Sequence, residues 1–208
     1  MKKFLRHFKT AFIFTVVMTL ICGFIYPLVL TGVSQVLFPH QANGSVEEVN
    51  GKPVGSSLVG QDFTDERLFH CRPSAYNYNT YTEEEKKNGD YAGVSSGSNN
   101  YANSNPDLKK RIEEDINKFL KENPTVQKED IPSDLITASG SGLDPHISID
   151  SAKVQLDRIS SKTGLSKDKL QTMIDNNTTS KFLGVFGENT VNVLTLNLEV
   201  AKEINMIK

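Results

Sequence analysis

The chain has 208 residues, of which 38% are apolar, and carries a net charge of −2. Lys2, Lys3, Arg6 and Lys9 precede a long apolar stretch, so acidic residues predominate in the remainder, which lacks the basic footprint that nucleic-acid binding needs. Two cysteines, Cys22 within the apolar stretch and Cys71 beyond it, offer neither a disulfide framework nor a Cys-x-x-Cys metal site, and no transition-metal site is expected.

Residues 1–10 read as a basic tail. Ala11 to Leu30 is apolar except for Thr15, Thr19 and Gly23, with Pro27 inside it. About twenty such residues span the hydrocarbon core of a bilayer as a helix. The run exceeds the roughly 7–15 residues of a signal-peptide apolar region, so an uncleaved anchor is expected. Gly32-Val33-Ser34 is a mediocre cleavage site, and Ile21 is too large for a lipobox ending at Cys22. The apolar pattern continues to Phe38, which makes 11–38 the anchor helix. Pro27 is expected to kink it and to free a carbonyl that wants a partner. Basic residues at one end and none near the other put the N-terminus in the cytoplasm and residues 39–208 outside.

The outer part reads as a mixed α/β domain. After a turn-rich exit at Pro39–Gly44, Val46–Val49 and Lys52–Val54 flank Asn50-Gly51, the signal of a two-residue hairpin turn. Leu58–Phe63 reads as a short strand and Thr64–Phe69 as a helical turn, with Phe63 and Phe69 in the core. From Arg72 to Asn105 the chain is irregular, and its part 76–105 is rich in Asn, Tyr and Ser. Tyr76, Tyr78, Tyr81, Tyr91 and Tyr101 suggest an ordered binding surface, because tyrosine offers contact area at low entropic cost. Thr82–Asn88 reads as a solvated insertion. Ser104 or Asn105 caps a helix bearing Leu108, Ile112, Ile116, Phe119 and Leu120. Ser148 or Asp150 caps a second helix that Gly164 stops, and Ser166 caps a third with Leu170, Met173 and Ile174. Val191–Leu198 reads as a strand that turns to helix near Asn197.

The stretch Asp134–Ser148, DLITASGSGLDPHIS, concentrates the polar chemistry. Leu135-Ile136 reads as a strand end, Ser139-Gly140-Ser141-Gly142 as a loop, and Asp144-Pro145 as extended chain holding its carboxylate out from the turn. Such a loop can form a backbone nest for an ion, a phosphate or a polar partner loop. It is no nucleophile elbow, since Ser139 stands where glycine must precede Ser141, and Asp144 and His146 lie too close in sequence to serve as a triad. No Walker loop is present. Ser161-Lys-Thr-Gly164 imitates a phosphorylation signature but has serine in place of the aspartate. Asp134, Asp144 and Asp150 could form an acidic rim that concentrates cations, or could cap local backbone. His146 is expected to bond the loop backbone, and Gln155 and Arg158 share a helix face that is either solvated or a contact surface.

Several blocks in order along nearly the whole chain resemble the C subunit of the Kdp-type potassium-transporting ATPase. They include Tyr26-Pro-Leu-Val29, Leu37-Phe-Pro-His-Gln-Ala-Asn-Gly-Ser45, Arg72-Pro-Ser-Ala75, the Asp134–Ser148 stretch, Gln155-x-x-Arg158 and Val191-Asn-Val-Leu-x-Leu-Asn-Leu198. The resemblance implies a non-catalytic subunit of a plasma-membrane complex. Its partners would be a potassium-selecting channel-like subunit, a P-type ATPase subunit and a very small membrane subunit, in contact with lipid. Potassium is then the transported ion, and ATP is met through the complex. The family is also described as a catalytic chaperone that raises the ATP affinity of the ATPase subunit. In that reading Gln155, Arg158 and the Gly/Ser loop are the candidate nucleotide contacts. In the first reading Ser139, Gly140, Ser141, Gly142, Asp144 and His146 form a docking surface.

Overall fold

Uninterrupted apolar residues favour helix, and in the computed structural model, which describes residues 2–89 and 93–207, they form one. The chain divides into two compact units, Met1–Val46 and Glu47–Lys208. In the first, α1 (Lys2–Leu20) passes through a π-helical turn (Ile21–Ile25) into α2 (Tyr26–Leu37). Pro27 has no N–H and its ring crowds the preceding turn, and widening that turn to i→i+5 bonding is one way to relieve the crowding. The Tyr26 N–H accordingly donates to Ile21 O. The expected disturbance at Pro27 is thus a π turn just before it. The whole of Ala11 to Leu30 lies in this helix with its side chains exposed. Lys3–Leu37 is long and apolar enough to cross a membrane. Pro39–Gly44, expected as a turn, begins with a single-turn helix, α3 (Pro39–Ala42). Gln35 and Asn43 exchange side-chain hydrogen bonds of 3.2 Å across the break at Phe38.

In the second unit, β1 (Val46–Val49) and β2 (Lys52–Ser56) form the expected hairpin. Both turn residues are left-handed, Asn50 at φ 54° and Gly51 at φ 71°, as a twist-matched turn demands. Leu58–Phe63 is a turn and extended chain rather than a strand. Its Gly60 donates to Leu143 O instead of entering a ladder. In the irregular region, Thr82–Asn88 is more than a solvated insertion. Thr82 and Glu85 form a reciprocal capping box on α4 (Glu83–Asn88), and Gly89 closes it in the left-handed conformation. Tyr91 lies outside the described residues. Asn105 caps α5 (Pro106–Glu122), whose apolar stripe is half-buried except for the buried Phe119.

The principal core is assembled from the C-terminal third. β3 (His146–Ser148) pairs antiparallel with β5 (Thr190–Asn192), which pairs antiparallel with β4 (Thr178–Thr179). Ile147 faces Val191 across the first pair, and both are buried. The single helix expected after Ser148 is two, α6 (Ile149–Lys153) and α7 (Leu156–Thr163), broken at Val154-Gln155. Gly164 ends α7 at φ 76°, and Ser166 caps α8 (Lys167–Asn176). The terminal helix α9 (Val193–Glu203) starts four residues before the expected Asn197, because Asn192 caps it by accepting from Thr195 N. Phe69, Ile159, Leu170, Ile174, Leu196 and Val200 fill the space between these helices and the sheet.

Candidate functional site

The Asp134–Ser148 stretch is fastened at both ends and along its length. Leu135-Ile136 is not a strand end: Ser133–Leu135 is a 3-10 turn, with Leu135 buried. Asp134 Oδ2 accepts from Ser148 N at 2.7 Å, and its Oδ1 accepts from Ser151 Oγ at 2.5 Å. Asp134 therefore caps the start of α6 together with Ser148. Across the loop, Ser141 O accepts from Gly97 N (2.7 Å) and Ser96 Oγ (3.0 Å). Gly142 O accepts from Ser74 Oγ at 2.6 Å, Leu143 O from Gly60 N at 2.8 Å, and Pro145 O from Val193 N at 3.0 Å. The loop's polar partner is thus the chain's own irregular region. The expected outward nest does not form at Gly142, Leu143 or His146, whose amides bond Ser139 O, Ser141 Oγ and Asp144 Oδ1. Gly140 and Ser141 remain exposed, whereas Ser139 and Gly142 are buried.

Asp144 does not hold its carboxylate out. Oδ2 meets Arg72 Nη1 at 3.0 Å, and Oδ1 takes the His146 amide with the imidazole Nδ1 3.6 Å away. The His146 ring depresses the carboxyl's pKa most. Partial burial opposes it, and the His146 amide and Arg72 add to it. The His146 ring thus faces its neighbouring carboxylate rather than the loop backbone expected for it. Asp150 is exposed on α6. Two members of the expected acidic rim are therefore used as cap and ion-pair partner.

Beside the loop lies a groove of about 870 Å³, walled by Arg72, Tyr78, Asn100, Arg111, Glu122 and Thr137 among others. Its charges are mostly paired: Arg111 with Asp115 at 2.7 Å, and His70 with Glu122 at 3.3 Å. Hydrogen bonding from His70 lowers the Glu122 carboxyl against its burial, whereas burial raises Asp115. Burial also pushes the Cys71 thiol up to about 12, which keeps it protonated and poorly nucleophilic at neutral pH. Arg72 Nε is buried here and has no hydrogen-bond partner among the described residues. Among the described residues no three His, Cys, Asp or Glu side chains converge as a metal-ligand set.

The family model described as K+-transporting ATPase, c chain, matches residues 8–202. The chain belongs to this family. A protein of Clostridium kluyveri named potassium-transporting ATPase KdpC subunit is 61% identical over 99% of this chain and 98% of its own length. Proteins of the same name from Clostridioides difficile and Caldanaerobacter subterraneus are 55% and 46% identical, each over 98% of this chain, and over 100% and 98% of their own lengths.

In this family member Gln155 and Arg158 do share a face, but it is an inner one, 0% and 4% exposed. Gln155 Oε1 accepts from His70 N (2.8 Å), and its Nε2 donates to His70 O (3.2 Å). Arg158 donates to Glu66 O, Leu68 O, Asn123 Oδ1 and Gln155 Oε1. Asn197 repeats the amide clip one residue earlier, bonding Phe69 N and O at 2.8 Å each. Residues 66–70 are thus pinned by side chains standing in for a neighbouring strand, with Phe69 driven into the core. Reading the sequence missed Arg72, Ser74 and Asn197 as members of this framework. The blocks Arg72-Pro-Ser-Ala75 and Leu-Asn-Leu198 were the only signals for them.

Proposed function

We propose that the chain is a non-catalytic, single-pass subunit of an ATP-driven potassium uptake complex. Its N-terminus lies in the cytoplasm, and its α/β unit lies outside, where it stabilises the assembly and covers the potassium entrance. The observation that carries this reading is the charge asymmetry of the anchor. Lys2, Lys3, Arg6 and Lys9 stand at one end of a helix able to span a bilayer, and no charged residue lies between Thr10 and Pro39. The relatives' shared name supports membership of a potassium-transporting ATPase. The partners are then a potassium-selecting subunit, the P-type ATPase subunit and a small membrane subunit, with ATP engaged by the ATPase subunit. Inward-facing Gln155 and Arg158, with their hydrogen bonds spent on residues 66–70, favour this reading over a nucleotide-contacting chaperone.

Topology tests it. Cys71 is an unsuitable reporter, since burial suppresses its thiolate. Val94 is 81% exposed, and Val94→Cys supplies an accessible thiol. A membrane-impermeant maleimide should label the variant above the unmodified chain in intact cells. Labelling only after the cells are opened places the unit in the cytoplasm and rejects the proposal.

A further inference from the structure

The groove beside the loop has two walls of unequal firmness. One is the segment 65–70, whose backbone is clipped by Gln155 and Asn197 and whose Phe69 lies in the core. The other is α5, whose apolar stripe is half-buried apart from Phe119. The His70 side chain crosses from the first wall to the second, and each of its ring nitrogens faces an acceptor. Nδ1 lies 3.3 Å from an Oε2 of Glu122, the last residue of α5, and Nε2 lies 3.2 Å from Asp65 O. The His70 and Glu122 side chains are only 18% and 23% exposed, so water does not freely replace their contact.

A neutral imidazole carries one N–H and one lone pair, so it satisfies one of these acceptors and turns a lone pair on the other. Only the imidazolium donates to both. Glu122 needs the charged ring as well. It ends α5, where the helix dipole is negative and a carboxylate wants a cation beside it. Its carboxyl is held below the ordinary 4.5 chiefly by the His70 hydrogen bond, against its burial, and so stays ionised at neutral pH. The other charges around the pair are committed elsewhere. Asp65 holds Arg67 through both carboxyl oxygens at 3.0 and 2.7 Å, Glu66 pairs with Lys162, and Arg158 spends its donors on Glu66 O, Leu68 O, Asn123 and Gln155. Lys118 and Arg158 add weaker attraction for the Glu122 carboxylate. Elsewhere on the groove Arg72 pairs with Asp144 and Arg111 with Asp115, Cys71 stays a thiol, and Asp62 is exposed. In this set histidine is the residue type whose charge ordinarily changes between about pH 5 and 8. We propose that His70 is a proton-operated latch: its imidazolium fastens the C-terminal end of α5 to the clipped segment 65–70, and loss of the proton loosens that end of the groove. The latch works whichever face of the membrane the unit occupies, so it stands or falls apart from the topology proposed above.

Amide hydrogen exchange of the full chain in detergent, corrected for the pH dependence of free peptides, reads the latch directly. Protection of residues 118–123 should fall roughly three- to tenfold from about pH 5.5 to about pH 8, the factor expected for one partly exposed charge-assisted hydrogen bond. Protection of α8 should change little. In His70→Gln, which keeps a polar side chain but takes up no proton, the fall should vanish. It should also vanish in Glu122→Gln, which keeps the shape and removes the charge, and which decides the matter if the histidine variant does not fold. Equal protection of residues 118–123 at the two pH values in the parent overturns the latch. A fall that persists in either folded variant traces to another group, such as His146, and overturns it too.

Discussion

The Asp134–Ser148 loop and the Lys181–Glu188 hairpin invert what their compositions suggest. The loop is rich in hydroxyls and carboxylates, the groups of binding sites, yet most of these groups bond elsewhere in the same domain. The hairpin is rich in Phe, Leu and Val, the groups of cores, yet it stands in solvent. Residue type alone therefore does not locate a contact surface. A polar stretch whose hydrogen bonds close internally is scaffold, and an apolar stretch that closes only its backbone has contact area left to give.

Breaking the inward-facing network should cost most. Arg158→Ala deletes four hydrogen bonds and takes the guanidinium donor from Asn123 Oδ1 and from the Glu66 and Leu68 carbonyls, so a loss of about 3 kcal/mol or more is expected in urea unfolding of the chain in detergent. A loss below about 1 kcal/mol contradicts the assignment of this face as scaffold. Next is Gly142→Ala. Gly142 has φ 64°, and an added Cβ would lie 2.6 Å from Gly97 O, a backbone atom that cannot swing aside. About 1–3 kcal/mol should be lost in the same measurement.

Asp144→Asn should cost about 1 kcal/mol through the weakened bonds to Arg72 and the His146 amide. Its signature is pH dependence. The fold lowers this carboxyl below its ordinary 3.8, so its contribution is complete above that value and fades as pH falls through the folded-state pKa. The variant should lose less stability than the parent across that acid range. The smallest effect belongs to the outward region: Val185→Ser should move stability by no more than about 0.5 kcal/mol, since the side chain is 74% exposed. A larger loss would mean that the hairpin serves the fold.

Local signals in the sequence translated well into structure. Asn50-Gly51, Asn105, Ser148, Gly164 and Ser166 each act through bonds or dihedrals within a few residues, and each sits where its chemistry places it. Failures came from distant partners. Leu58–Phe63 has the apolarity of a strand, but Gly60 bonds Leu143, and a Cβ there would meet Tyr78 and Asp144 O. Asn197 marks no helix start, since its amide serves Phe69, far away along the chain. Gln155 and Arg158 were paired correctly on one face, but which way that face points depends on residues 66–70, which no periodicity links to α7. The Asp134–Ser148 loop was recognised as special, while the groups that hold it lie in a region without regular structure.

The π turn before Pro27 also sets the rotational phase of the anchor. Thr15, Thr19, Gly23 and Thr31 fall at multiples of four residues, a line that would drift about 160° around an unbroken α-helix between its ends. One extra residue in the turn takes back about 100°, so the line ends about 60° from where it began. The adjustment that relieves the proline clash thereby keeps Thr31 closer to the side of the anchor that carries Thr15 than an unbroken α-helix would.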